Sequence, residues 1–184
     1  MNTRTKCFTS FTLLLLCLAL GCNVYETDKA NELINAGNAA VTEANQLFEA
    51  ANSKADKLSD SLNSEQLEDN DSIKGLAQEA AAACDKSAAK YREGATKFDQ
   101  ASKLKLQDQL KEYLTLKSRE FSKHAEQADV VKSIMEGGDA ETILKKIGEN
   151  RDRINQIEKE AIELAEKSTK IQQENKSIFK PESK

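Results

Sequence analysis

The stretch Phe98-Asp99-Gln100-Ala101-Ser102-Lys103-Leu104-Lys105-Leu106-Gln107-Asp108-Gln109-Leu110 decides how this chain folds. On its N-terminal side Ala77, Ala81, Cys84, Ala88, Tyr91, Ala95, Phe98 and Ser102 alternate in steps of four and three. That alternation is the seam of a helix with a heptad repeat. On its C-terminal side Leu110, Leu114, Lys117, Phe121, His124, Ala128, Val131 and Met135 form a second seam of the same kind. Between the two, Phe98, Ser102, Leu106 and Leu110 are spaced by fours. Such a stutter locally unwinds a supercoil or marks a change of partner. No Pro or Gly lies in the join, and Gly94 falls just before it. The pattern therefore predicts one continuous or mildly bent helix over about 73–136, roughly 95 Å long if straight.

Outward from that helix, the chain resolves into two more. Ile34, Gly37, Val41, Ala44, Phe48, Ala51, Ala55, Leu58 and Leu62 predict a helix over about 28–62, with Thr27 or Asp28 as its cap. Asn63 to Ser72 is polar and rich in turn formers, which reads as a loop with Asp71 or Ser72 capping the next helix. Gly137-Gly138-Asp139 predicts a stop and a restart. A third helix is expected over about 140–178, with its seam at Ile143, Ile147, Asn150, Ile154, Ile157, Ala161, Leu164, Ser168, Ile171, Asn175 and Ile178. Pro181 ends the pattern, and residues 179–184 read as a frayed tail. The expected fold class is all-α: three long helices over 28–178, arranged as antiparallel coiled-coil hairpins in series or as an elongated bundle. A single helix pair buries little surface, so a straight rod would want a partner chain.

Composition agrees with long helices. The 184 residues are 32% charged and 5% aromatic, with no Trp, one Pro and seven Gly. The net charge is −4. Arg4 and Lys6 are the only charged residues among the first 21, so the rest of the chain holds 25 basic and 31 acidic groups, a net of −6. A surface of that sign argues against binding a phosphate backbone, and no nucleic-acid partner is expected.

The N-terminus has a different character. A basic start to Lys6 leads into an apolar run through Leu13-Leu14-Leu15-Leu16-Cys17-Leu18-Ala19-Leu20. At about 13 residues the run falls short of the roughly 20 needed to span a bilayer. Basic start, short apolar core and small exit residue are the parts of a secretory signal. The exit reads Leu18-Ala19-Leu20-Gly21-Cys22 and resembles the lipobox of bacterial lipoproteins. Position three before the Cys holds Ala19, with leucines on either side. The resemblance covers residues 1–22 alone and carries no information on the fold. It implies cleavage between Gly21 and Cys22, removal of 1–21, diacylglycerol on the Cys22 thiol and acylation of the new amine. Residues 22–27 would then be a lipidated cysteine with a short tether. Two or three acyl chains give stable anchoring, since each buried methylene contributes about 0.8 kcal/mol.

That processing also settles the cysteine count. Cys7 and Cys17 leave with the signal, Cys22 carries lipid, and Cys84 remains alone. Cys84 reads first as a small buried hydrophobe and second as a site for an intermolecular disulfide. His124, the only histidine, lies four residues after Glu120 on a seam and reads as an ordinary helix residue. No ligand-spaced His/Cys/Asp/Glu set and no glycine-rich phosphate loop stands out, so no catalytic residue, metal or cofactor is expected. Lys117, Asn150, Ser168 and Asn175 are polar seam residues that either specify register or lie where a partner helix has ended. The C-terminal Lys184, with the lipobox and heptad helices, resembles the plan of the murein lipoprotein, whose C-terminal lysine is joined to the cell wall.

Taken together, these residues point to a lipid-anchored, non-enzymatic protein of a bacterial cell envelope. Its partners would be a membrane, held through lipid on Cys22, and a protein or second copy held through the helix seams. Two alternatives stand beside it: a helical bundle that binds lipid surfaces, and a wall-linked spacer.

Overall fold

The computed structural model describes residues 26–63 and 70–179. All of its regular structure is helical: α1 (Thr27–Asn63), α2 (Asn70–Ser102), α3 (Asp108–Met135), α4 (Ala140–Glu174) and the single turn α5 (Lys176–Phe179). Each long helix packs chiefly on its sequence neighbours, α1 on α2, α2 on α3 and α3 on α4. Cross-helix pairs fix every neighbour as antiparallel. Lys54 with Glu79 and Glu43 with Lys90 link α1 to α2. Asp85 with Lys132 and Arg92 with Asp129 link α2 to α3. Lys123 with Glu160 and Glu126 with Arg153 link α3 to α4.

The expected helix over 73–136 is two helices. The chain turns back at 103–107, and four long helices replace the three expected. The turn closes with short-range bonds, Lys103 N–H to the Gln100 carbonyl and Leu104 N–H to that of Ala101. Leu106 is buried, and Leu104 packs against the core formed by the surrounding helices. The driving force is burial. Straight, each half would have had one helix of this chain beside it and a second apolar face left open. Folded, Phe98 meets Phe121 with ring centroids 5.4 Å apart, and Tyr91 stacks on His124 at 5.3 Å. The stutter is the point at which the seam changes partner.

The inner helices bury more than one stripe because each has two neighbours. Besides the predicted seam, α2 buries Ile73, Ala80, Ser87 and Ala101, and α3 buries Tyr113, Glu120, Ala125, Val130 and Ile134. On α1 the predicted seam residues Ile34, Val41, Ala44, Ala51 and Leu58 are buried, with Phe48 and Ala55 half-buried. Two apolar clusters result. One, near the α2–α3 turn, joins Ala30, Ile34, Phe98, Leu106, Leu110 and Phe179. The other, at the opposite end, joins Leu58, Ile73, Val130, Ile134, Met135, Ile143 and Ile157.

The ends of helices differ from the expected ones in two places. Helix α2 is already formed at Asn70, so Asp71 and Ser72 lie inside its first turn. The rest of the expected loop, 64–69, lies outside the described residues. At the C-terminus α4 stops at Glu174, and Asn175 donates its N–H to the Ile171 carbonyl. The expected fraying at 179 does not occur: Phe179 is buried and meets the Tyr113 ring edge-on at 4.9 Å. Residues 180–184 lie outside the described residues. The α3–α4 turn obeys its local chemistry. Gly138 takes φ +78°, which suits glycine, and the Asp139 carboxylate accepts from the Thr142 N–H at 2.9 Å.

Candidate functional site

Gly21 and Cys22, the residues of the expected cleavage and lipidation, lie outside the described residues, as does Lys184. The described chain begins four residues after Cys22, at Glu26, and that residue is held twice. Its N–H donates to the Lys105 carbonyl at 3.1 Å, and its carboxylate accepts from the Lys105 N–H at 3.0 Å. The start of α1 is thus clipped to the α2–α3 turn. The turn supplies free backbone groups because it is not helical, and Glu26 precedes the first turn of α1, where carboxylates are favoured. Lys103 is 70% exposed and pairs with Asp99 at 2.6 Å. Lys105 and Lys29 are exposed, with no ion pair to their ammonium groups among the described residues.

A second place with chemistry lies between α2 and α3. Glu120 is buried and accepts from the Lys117 ammonium through both carboxylate oxygens, each at 2.8 Å. Burial pushes its pKa up, and Lys117 opposes that shift. The Lys117 ammonium lies 4.5 Å from the centre of the Phe121 ring. His124 sits against Tyr91 and Phe121; burial holds its pKa below the usual imidazole value, and the Lys117 charge acts the same way. Tyr91 donates to the Asn45 side-chain oxygen on α1 at 2.5 Å. Burial raises both Tyr91 and Tyr113. This cluster is satisfied internally: its acid has its base and its phenol has its acceptor. It joins α1, α2 and α3.

The remaining candidates are structural. Cys84 is fully buried, and burial pushes its thiol up to about 11, which suppresses the reactive thiolate. An intermolecular disulfide there has no access, and the small-hydrophobe reading describes its surroundings. Asn150, Ser168 and Asn175 bond to carbonyls of their own helix, at Lys146, Ala165 and Ile171. None of these bonds reaches a partner helix. An open groove between α3 and α4 is lined by Arg119, Ser122, Lys123, Glu160, Glu163, Leu164 and Lys167. Lys123 there is neutralised by Glu126 and Glu160. Among the described residues no group of three or more His, Cys, Asp or Glu could hold a metal ion. No described helix is long and apolar enough to cross a membrane.

Sequence reasoning missed the buried acid Glu120 and the helix contact at Gly94. Glu120 lies seven residues after Tyr113, on a stripe that a single seam leaves to solvent. Gly94 touches Val41 of α1: a Cβ there would stand 2.6 Å from a Val41 methyl and 3.2 Å from the Gly37 carbonyl oxygen. Gly37 in turn faces the Phe98 ring. A glycine on each of two facing helices, one of them on the predicted seam, was the available signal. No protein-family model, curated protein or solved structure matches the chain.

Proposed function

We propose that this chain is a lipid-anchored, non-enzymatic helical bundle of a bacterial cell envelope, acting as a scaffold or protein-binding module. The observation that carries the reading is the succession at its N-terminus. A signal-like segment ends in Leu18-Ala19-Leu20-Gly21-Cys22, and four residues later the chain is bonded into a folded domain at Glu26. Processing at Gly21–Cys22 would leave the domain on a very short tether.

Most of the heptad seams are consumed within the bundle, Ile147 of the α4 seam being exposed, so contacts with another protein fall to what remains outside. The large apolar side chains exposed among the described residues are Leu144, Ile147 and Ile162, all on α4. Helix α4 is also an outer helix, with α3 as its long neighbour. The apolar surface therefore favours a protein contact on this flank over a bundle that opens onto lipid, because opening would expose two built cores.

Metabolic labelling with an alkyne fatty acid tests the reading. The wild-type chain should take up label and partition with detergent, and Cys22→Ser should do neither. Label retained in Cys22→Ser, or absent from both chains, would overturn it.

A further inference from the structure

The double bond between Glu26 and Lys105 fixes where the chain enters the bundle, and chain length fixes how far that point can lie from Cys22. Residues 23–25 separate the two. Four steps at roughly 3.3–3.6 Å per residue reach at most about 14 Å. On the reading that Cys22 carries lipid, on which this inference rests, Glu26 lies within that distance of the bilayer surface. The α2–α3 turn comes with it.

We propose that this end of the bundle is a membrane-contact surface: the turn at Lys103, Leu104 and Lys105, with Lys29 on the first turn of α1, sits on the lipid phosphate layer. The Lys29 and Lys105 ammonium groups are exposed and have no ion pair among the described residues, and Lys103 is 70% exposed. Lys side chains reach phosphate while their stems cover apolar surface, here beside half-buried Leu104. Glu26, Asp28, Asp99 and Asp108 share this end. The acids outnumber the three lysines by one, so net charge does not draw this end to lipid, and the surface works through the tether, which supplies a high effective concentration of headgroups. Lying along the membrane is disfavoured, because α1 carries exposed Glu32, Glu49, Asp56 and Asp60. The bundle then stands on its α2–α3 end. The 28 residues of α3 hold the Gly137–Gly138 turn about 40 Å further out at 1.5 Å per residue. Leu144 and Ile147 follow on α4, which runs back antiparallel to α3, and are exposed near the membrane-distal end.

The test uses the full acylated protein in vesicles of phosphatidylcholine and phosphatidylglycerol that contain a headgroup spin-labelled lipid. Fluorophores are placed through Gln107→Cys at one end and Glu141→Cys at the other; buried Cys84 stays unlabelled in the native fold. The acyl mass of each sample is measured first. Quenching at position 107 should exceed that at 141 several-fold, and adding Lys103→Glu and Lys105→Glu should reduce it. Equal quenching at both positions, or stronger quenching at 141, in a chain of proven acyl mass overturns the contact surface and leaves the anchor standing. A chain without acyl mass removes the premise and the proposal together.

Discussion

Gly94 shows how a single missing methyl sets a helix contact. Its α-carbon faces Val41, which is β-branched and stiff, so a Cβ at 2.6 Å cannot be absorbed by a rotamer change. Gly94→Ala should destabilise the fold by about 1–3 kcal/mol through overpacking, less the helix-propensity gain. Gly148 on exposed α4 meets nothing within 4 Å, and Gly148→Ala should stabilise by about 0.5–1 kcal/mol. Denaturant midpoints of the two variants should move in opposite directions; movement in the same direction would refute the close approach at Gly94. His124 makes a pH prediction at the same scale. Burial lowers its folded pKa, so the unfolded chain takes up the proton first. Its contribution is complete above about pH 6.5, the ordinary value, and is lost as pH falls through the lowered one. Glu120 has the opposite sign, since its raised pKa relieves a burial cost as pH falls. Tm should therefore decline below about pH 6.5 in the wild type and decline less in His124→Phe, while an unchanged slope would exclude His124 as the cause. The seam positions of these residues were legible from spacing. The charge states were not, because Glu120 becomes buried only when α3 acquires neighbours on two sides.

At the scale of elements, the α2–α3 turn is the feature that spacing located without identifying. The fours at Phe98, Ser102, Leu106 and Leu110 show that the seam rotates, and a rotated seam fits a continuous helix as well as a turn. What decides is the surface available to bury, a property of the whole chain. Where local chemistry specifies the turn, as with Gly138 at φ +78° and the Asp139 cap, the sequence was sufficient. Here Lys103 to Gln107 contains no such residue, and the bond to Glu26 comes from 79 residues away. Leu106 is the apolar anchor of the turn. Leu106→Ala should cost about 2–5 kcal/mol by leaving a cavity in the cluster with Leu110 and Ile34, measured by thermal or denaturant unfolding. A cost indistinguishable from that of an exposed leucine would mean that the two helices are joined otherwise. Phe179 was missed for a related reason. One turn beyond Asn175 is too short to show a period, and its value lies in the Tyr113 ring that it covers.

As a whole molecule, the chain spends most of its seams on itself, with Ile147 left exposed. Four antiparallel helices, with ion pairs between each neighbouring pair, bury two cores within one chain, and among the described residues the exposed large apolar side chains all lie on α4. Seen from the proposed anchor, the clip at Glu26 and the turn at Lys105 form the near end, and the last residues of α1, the first of α2 and the α3–α4 turn form the far one. A protein so arranged is suited to display a surface at a fixed height. All of this depends on the lipid proposed for Cys22. Intact-mass analysis of the chain extracted from membranes, beside Cys22→Ala, is the direct test. An anchored wild-type chain should begin at Cys22 with added acyl mass, and the variant should lack that mass. An unmodified N-terminus in both, or a chain that still carries residues 1–21, would contradict it.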